Sequence, residues 1–311
     1  MKHYLSAPTR LSRAGHAEGP MWDSRHEALV WVDQFAGLVH LARQVNAGGG
    51  LELVKTYQIG SPVGAVVPCE TIDDGWMIAA GQGFSHLSND GVVTPIAELF
   101  ADPAKMRMND GKCDPGGRFW AGSMAWDKDP SAGSLYRLDT DLQVSVALPD
   151  LTISNGLAWT PDARRMYFID TQTQRVDRFG VSADGQLWGR ETLVSIDESR
   201  GAPDGMCIDD EGCLWVALWG GHTVHRYAPD GKLLADVQVD APQVSSCTFG
   251  GPRRSTLFIT TSQEGYSQSQ SDGYPSAGKV FSVELDVTGP PASPFRGTVP
   301  VTDGIPSSQS R

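Results

Sequence analysis

The sequence predicts an all-β chain closed into a six-bladed propeller with four antiparallel strands per blade. Three observations lead there. The 311 residues include 35 Gly and 20 Pro, too many for a helical protein, and no long segment keeps a 3.6-residue apolar stripe. Short β-branched and aromatic runs recur instead between turn clusters. A turn-like cluster followed by an apolar strand returns six times, as DSRHEALVWVD, TIDDGWMIAAG, DPGGRFWAGS, TPDARRMYFID, DDEGCLWVALW and GPRRSTLFITT.

Trp31, Met77, Trp120, Tyr167, Trp215 and Phe258 mark these copies at intervals of 46, 43, 47, 48 and 43 residues, the period of a four-stranded blade. In a two-sheet sandwich this spacing would be accidental. After each marker strand comes a turn and a third strand, LVHLAR, FSHLS, SLYRLD, RVDRFG, VHRYAP and KVFSVEL. The chain up to Arg13 is expected to pair with the last blade, closing the ring and removing its open edges. Residues 1–287 read as this single domain. Residues 288–311, TGPPASPFRGTVPVTDGIPSSQSR, read as a Pro/Ser/Gly-rich tail, loose or acting as a lid.

Composition narrows the function. With 25 Lys and Arg against 37 Asp and Glu, the net charge of −12 repels phosphate backbones and anionic lipid, so neither nucleic acid nor a membrane is an expected partner. The absence of an eighteen-residue apolar run, and of a secretory apolar core in MKHYLSAPTRLSRAGH, makes a cytoplasmic location the expectation. A monomer or weak oligomer is expected. Cys69, Cys113, Cys207, Cys213 and Cys247 are widely spaced without a CxxC pair and read as reduced, packed thiols.

The first strand of a propeller blade lines the axis, so residues some eleven to fourteen positions before each marker should ring one mouth of the channel. They are Glu18, Val63 with Gly64, Arg107 with Asn109, Asn155, Asp204, and Ser246 with Cys247. Alone, Asn155 in SNG and Asp204 in PDG read as turn formers. Convergence from three blades reads as a site, because polar groups in a narrow channel are costly to desolvate unless they bind something. Glu18, Asn155 and Asp204 make a hard oxygen set suited to one divalent cation: Ca, Mg, Mn, Zn or Fe(II). Trp126 and Asp127, Asp170 and Thr171, and Trp219 and Gly220 end the second strands and should rim the same opening.

Competing motifs fail: there is no GxSxG, GxxxxGK[ST], HExxH or EF-hand spacing. GQGFSH reads as a turn, and His222 and His225, three apart on one expected strand, point to opposite faces.

Five stretches resemble the senescence-marker-protein/regucalcin/gluconolactonase group of six-bladed propellers, over nearly the whole chain to about Leu285: AEGPMW, RMNDGKCDPGGRFWAGSM, ISNGLAWTPD, PDGMCID and SSCTFGG. The resemblance implies a metal-dependent hydrolase opening a sugar lactone, with metal ligands at Glu18, Asn155 and Asp204. It also implies that Arg107 and Asn109 hold sugar hydroxyls. Some relatives carry an acidic pair where this chain has Trp126 and Asp127, so a differently shaped pocket is expected. Asp204 is the expected base, Arg107, Asn109 and Asp127 the expected substrate binders, and Trp126 and Trp219 either stack on the sugar or pack at blade edges. The alternatives are a non-catalytic calcium-binding or scaffold propeller, and a metal-dependent aryl-ester or organophosphate hydrolase.

Overall fold

The computed structural model describes residues 1–44, 50–70 and 75–299. Six antiparallel sheets surround an axis. Their inner strands are Ala17–Asp23, Val63–Pro68, Met106–Cys113, Ser154–Trp159, Ala202–Ile208 and Val244–Gly250. All six repeat markers fall in the second strands, Ala28–Asp33, Trp76–Ala80, Phe119–Ala125, Arg165–Asp170, Leu214–Trp219 and Thr256–Thr261. The aromatic and β-branched residues that marked the period are the ones each blade buries between itself and its neighbours.

The core is correspondingly a ring of six apolar clusters, one for each pair of adjacent blades. Val30, Ile78 and Trp76 pack blades one and two, Phe84 and Phe119 blades two and three, and Leu157 and Trp120 blades three and four. Tyr167 and Val216 join blades four and five, Trp215 and Phe249 blades five and six, and Trp31 and Phe258 blades six and one. Buried aspartates punctuate this core. Asp23, Asp114 and Asp209 accept the indole N–H of Trp76, Trp120 and Trp215 at 3.0, 2.9 and 3.0 Å. Each also pairs with an arginine, Arg25, Arg118 or Arg226, which satisfies a charge that burial would otherwise penalise.

The N-terminal segment closes the ring as expected: Ala7–Pro8 pairs antiparallel with Phe281–Glu284 and completes blade six. Ahead of it, Lys2–Leu5 adds a fifth, parallel strand to blade five against Leu233–Gln238. One turn differs from expectation. His222 has φ 57° and precedes the strand Thr223–Tyr227, so it does not share a strand with His225.

Beyond Val287 the described chain is fixed to the propeller as a strap. Asp210 N–H donates to Thr288 O and Gly289 N–H to Arg254 O at one end; Phe295 N–H donates to Pro68 O and Arg296 N–H to Gly117 O at the other. The strap thus crosses from blades five and six to blades two and three, with Phe295 fully buried. Residues 300–311 lie outside the described residues. Removing a buried Phe side chain forfeits about 3–5 kcal/mol of packing, so Phe295→Ala is expected to free the strap. Limited proteolysis should then cut within residues 288–299 well below the temperature at which the propeller melts; resistance equal to wild type would contradict this anchoring.

Candidate functional site at one mouth of the channel

Every inner strand carries a register irregularity at the same level: between Glu18 and Met21, Val63 and Ala65, Met108 and Gly111, Asn155 and Leu157, Pro203 and Met206, and Val244 and Ser246. A bulge unpairs one residue and re-aims its side chain. Repeated six times, it leaves Asn109, Asp110 and Asp204 unpaired and puts Glu18 and Asn155 at the last paired position before the bulge. Backbone must then come unusually close. A Cβ on Gly64 would stand 2.7 Å from Asn109 O, and one on Gly156 2.6 Å from Asp204 O, so neither position has room for a side chain.

A chain of hydrogen bonds fixes the polar residues. Arg107 Nη1 donates to Gln34 Oε1 at 2.8 Å and Asn109 Oδ1 at 2.5 Å, and Gln34 Nε2 donates to Asn109 O at 2.8 Å. Asn109 Nδ2 donates to Ser154 O at 2.8 Å and Asn155 Oδ1 at 3.2 Å. Asn155 Nδ2 donates to Thr171 Oγ1 at 2.9 Å, and Thr171 Oγ1 to Pro203 O at 2.8 Å. This belt runs from blade one to blade five. It orients the Asn155 amide, with its nitrogen committed to Thr171.

The carboxylates lie against the belt. Burial, then the charge of Asp110, pushes the Glu18 carboxyl well above the usual range, although Gly19 N–H donates to it at 3.0 Å. Burial and then the charges of Glu18 and Asp110 push Asp204 up as well, with Arg107 opposing. Asp204 accepts no side-chain hydrogen bond from the described residues. Asp110 is raised to about 6 by burial, with Lys112 opposing. Burial, then Arg107 and Lys128, depresses His16 to about 3, so its ring is neutral.

The expected site residues thus sort into groups. Glu18, Asn155 and Asp204 are buried, and electrostatics or hydrogen bonds link them through Arg107 and Asn109. Thr171 and Trp219 join the rim as expected, Trp219 through its edge contact with His16. Asp170 instead accepts the N–H groups of Thr152 and Ile153, anchoring a loop. Asp127 is exposed on the blade-three loop, accepting Asp129 N–H at 3.2 Å. Cys247 turns toward blade five, its sulfur 3.7 Å from that of Cys207, and all five cysteines are buried and unbridged.

Sequence reasoning missed Asp110, Gln34, Phe35, His16 and Glu264. Asp110 follows Asn109, and strict strand alternation would send it away from the axis; the bulge removes that alternation. The others sit on connections, where the repeat carries no positional information.

No group of three His, Cys, Asp or Glu side chains among the described residues is arranged to hold a metal, so a cation here depends on the Asn155 amide. The donor set fits one: two buried carboxylates that repel each other, and an amide oxygen oriented by its neighbours. A cavity of about 280 Å³ lies further down the axis, toward the strap, lined by Met21, Val66, Lys112, Trp159, Phe249 and Pro290 among others. Lys112 Nζ donates to Met206 O at 2.7 Å, bridging blades three and five on its border.

The model of the SMP-30/gluconolactonase/LRE-like region matches residues 16–263. Regucalcin of Gallus gallus is 35% identical over 289 residues, 90% of this chain and 94% of its own. The 6-deoxy-6-sulfogluconolactonase of Pseudomonas putida is 34% identical over 274 residues, 88% of this chain and 92% of its own. A solved structure described as a calcium-binding protein, regucalcin, from Agrobacterium tumefaciens superposes with a TM-score of 0.87 at 26% identity, covering 95% of this chain and 99% of that one. A match spanning five blades and the first two strands of the sixth, together with relatives alike over nearly their full length, establishes that the chain belongs to the SMP-30/gluconolactonase/LRE-like family.

Proposed function

We propose that the chain is a metal-dependent hydrolase that opens sugar lactones. The observation that carries this reading is the pair of buried carboxylates, Glu18 and Asp204, each raised above the ordinary range beside the Asn155 amide. These three residues would hold the cation. A bound divalent ion supplies Lewis-acid polarisation of the lactone carbonyl. Asp204 is the proposed base: its oxygens are free of hydrogen-bond donors from the described residues, and a raised carboxylate pKa suits proton abstraction from water near neutrality.

Arg107 Nε is buried without a hydrogen-bond partner among the described residues, and the guanidinium is the proposed donor to a substrate oxygen. Asn109 has both ends of its amide engaged, so it positions Arg107 and Asn155. Trp126 and Asp127 shape the entrance. The activity for which the Pseudomonas putida relative is named supports a lactone substrate, and the calcium binding ascribed to the Agrobacterium tumefaciens protein supports calcium as one candidate ion. Lactones, phosphotriesters and aryl acetates assayed on metal-loaded and chelated protein test the reading. Turnover confined to lactones and abolished by chelation is expected; turnover of phosphotriesters or aryl acetates alone, or of nothing, would replace it with one of the alternatives.

Asp204→Asn keeps an oxygen for the cation and removes the proton acceptor, so kcat should fall by about 100-fold or more, with cation binding retained by calorimetry. Asp127→Asn should act chiefly on KM, since the side chain is exposed on the entrance loop. An active Asp204→Asn beside an inactive Asp127→Asn would move the base to the other carboxylate.

The raised carboxyls also set a pH dependence. Without cation, the folded state retains protons that the unfolded chain releases from about pH 4 upward, so stability is lost as pH rises from there toward the raised values. Thermal unfolding of chelated protein should give a lower Tm at about pH 8 than at about pH 5.5, and added calcium should raise Tm more at the higher pH. A calcium effect independent of pH would contradict this.

A further inference from the structure

The connection that follows the second strand of blade six is clamped to the mouth. His16, stacked on Phe35 with ring centroids 4.7 Å apart, forms an antiparallel bridge with Ser262, and Gln263 N–H donates to Gly15 O at 3.1 Å. Ser262 Oγ stands 2.7 Å from His16 Nδ1 and accepts Glu264 N–H at 2.9 Å, while Gln243 Nε2 donates to Glu264 O at 3.2 Å. The Glu264 backbone is thus fixed on both sides. Its carboxylate accepts no hydrogen bond from the described residues. His16 Nδ1, already bonded to Ser262, lies 3.8 Å from Oε2, beyond hydrogen-bond reach. The side chain is 39% exposed and stands where the buried site meets solvent.

The charge of Glu264 reaches inward. Arg107 is buried and bonds to the described residues through Nη1 alone, to Gln34 Oε1, Met108 O and Asn109 Oδ1, which leaves the rest of its guanidinium to a ligand. Burial lowers its pKa to about 10, and of the carboxylates that oppose burial Glu264 acts most strongly, ahead of Glu18 and Asp204. A divalent cation would match the charges of Glu18 and Asp204, so Glu264 remains as the counter-charge of Arg107. At the outer rim Lys128 is exposed between the equally exposed Asp127 and Asp129 and adds no net attraction. An unmatched guanidinium binds phosphate or sulfonate in preference to hydroxyl, because the charge-assisted fork is the stronger bond. Matched by a fixed carboxylate, it keeps its donors for hydroxyls, and an incoming anion meets the repulsion of Glu264.

We propose that Glu264 is a specificity-determining residue which, within the lactonase reading on which this rests, excludes sugar lactones bearing a phosphate or sulfonate group and leaves the uncharged ones as substrates. It acts as the counter-charge of Arg107 and not on the reacting carbonyl.

The test compares D-glucono-δ-lactone with 6-phospho-D-glucono-δ-lactone on the calcium-loaded full chain, corrected for spontaneous opening. Wild type should give a kcat/KM about tenfold or more higher for the uncharged lactone, the scale of one like-charge contact at a half-exposed site. Glu264→Gln should recover most of that factor for the phosphorylated lactone, chiefly through KM, and change the glucono-δ-lactone value less than about twofold. The recovery should shrink at high salt; a structural defect would lower both values alike and ignore salt. Glu264→Asp keeps the charge and should keep the discrimination. Calorimetry with the opened products reads the same filter without turnover: Glu264→Gln should bind 6-phosphogluconate about tenfold more tightly than wild type does, with gluconate unchanged. A wild type that prefers the phosphorylated lactone, or a Glu264→Gln variant that alters both lactones equally, would overturn the proposal while leaving lactone hydrolysis standing. Turnover of neither lactone would overturn the lactonase reading, and the calorimetry would then decide the role of Glu264 by itself, equal affinities in the two proteins overturning it.

Discussion

Glu18 and Asp204 project from different blades into one desolvated space where Asp110 adds a third acidic group. The rest of the site answers to that constraint. Like charges at low dielectric repel strongly, and their burial is tolerated only where the surrounding frame cannot relax. The frame here is the ring itself, in which each blade is held by an apolar interface on either side. A bulge in each inner strand then sets the depth at which the groups meet. Close backbone approach at Gly64 and Gly156 keeps neighbouring strands near enough for the groups to interact.

The hydrogen-bond belt converts this frame into orientation. An amide is symmetric in shape but not in chemistry, and Asn155 presents oxygen toward Asn109 because its nitrogen is committed to Thr171, itself committed to Pro203 O. Thr171 follows the second strand of blade four, and Pro203 precedes Asp204 on blade five. Two proposed ligands are therefore tied through one hydroxyl. Arg107 closes the other end of the belt, and its charge lowers the cost of ionising both Glu18 and Asp204.

Much of this was legible in the residues, because propeller architecture repeats and repetition can be counted. The six markers placed the second strands, and counting back from them placed Glu18, Arg107, Asn109, Asn155 and Asp204 on inner strands at the axis. What escaped was whatever breaks the period. Asp110 reaches the axial environment through a bulge, Gln34 and Phe35 follow the second strand of blade one, and Glu264 lies on the long connection within blade six. The strap after Val287 was also opaque. Its composition reads as loose, but composition does not show that Phe295 finds a fully apolar slot between blades two and three. Asp127, expected at the rim from its position after a marker strand, is exposed on the blade-three loop.

The channel's two ends differ for a reason written into the inner strands of blades one, four and five. The strands that carry the proposed ligands run from the mouth inward, polar before the bulge and apolar after it: Glu18 leads to Met21 and Trp22, Asn155 to Leu157 and Trp159, Asp204 to Met206 and Ile208. In these three blades a polar layer therefore stands above an apolar one, and no separate element is needed to divide them. Lys112 stands at that boundary. Its ammonium is tied to Met206 O on blade five, and its charge opposes the upward shift of Asp110. Below it the cavity is lined mainly by Pro, Val, Met and aromatic side chains and is roofed by Pro290–Ser293 of the strap. Asp110 and Lys112 also line it, so the charge of the mouth extends to the edge of the cavity.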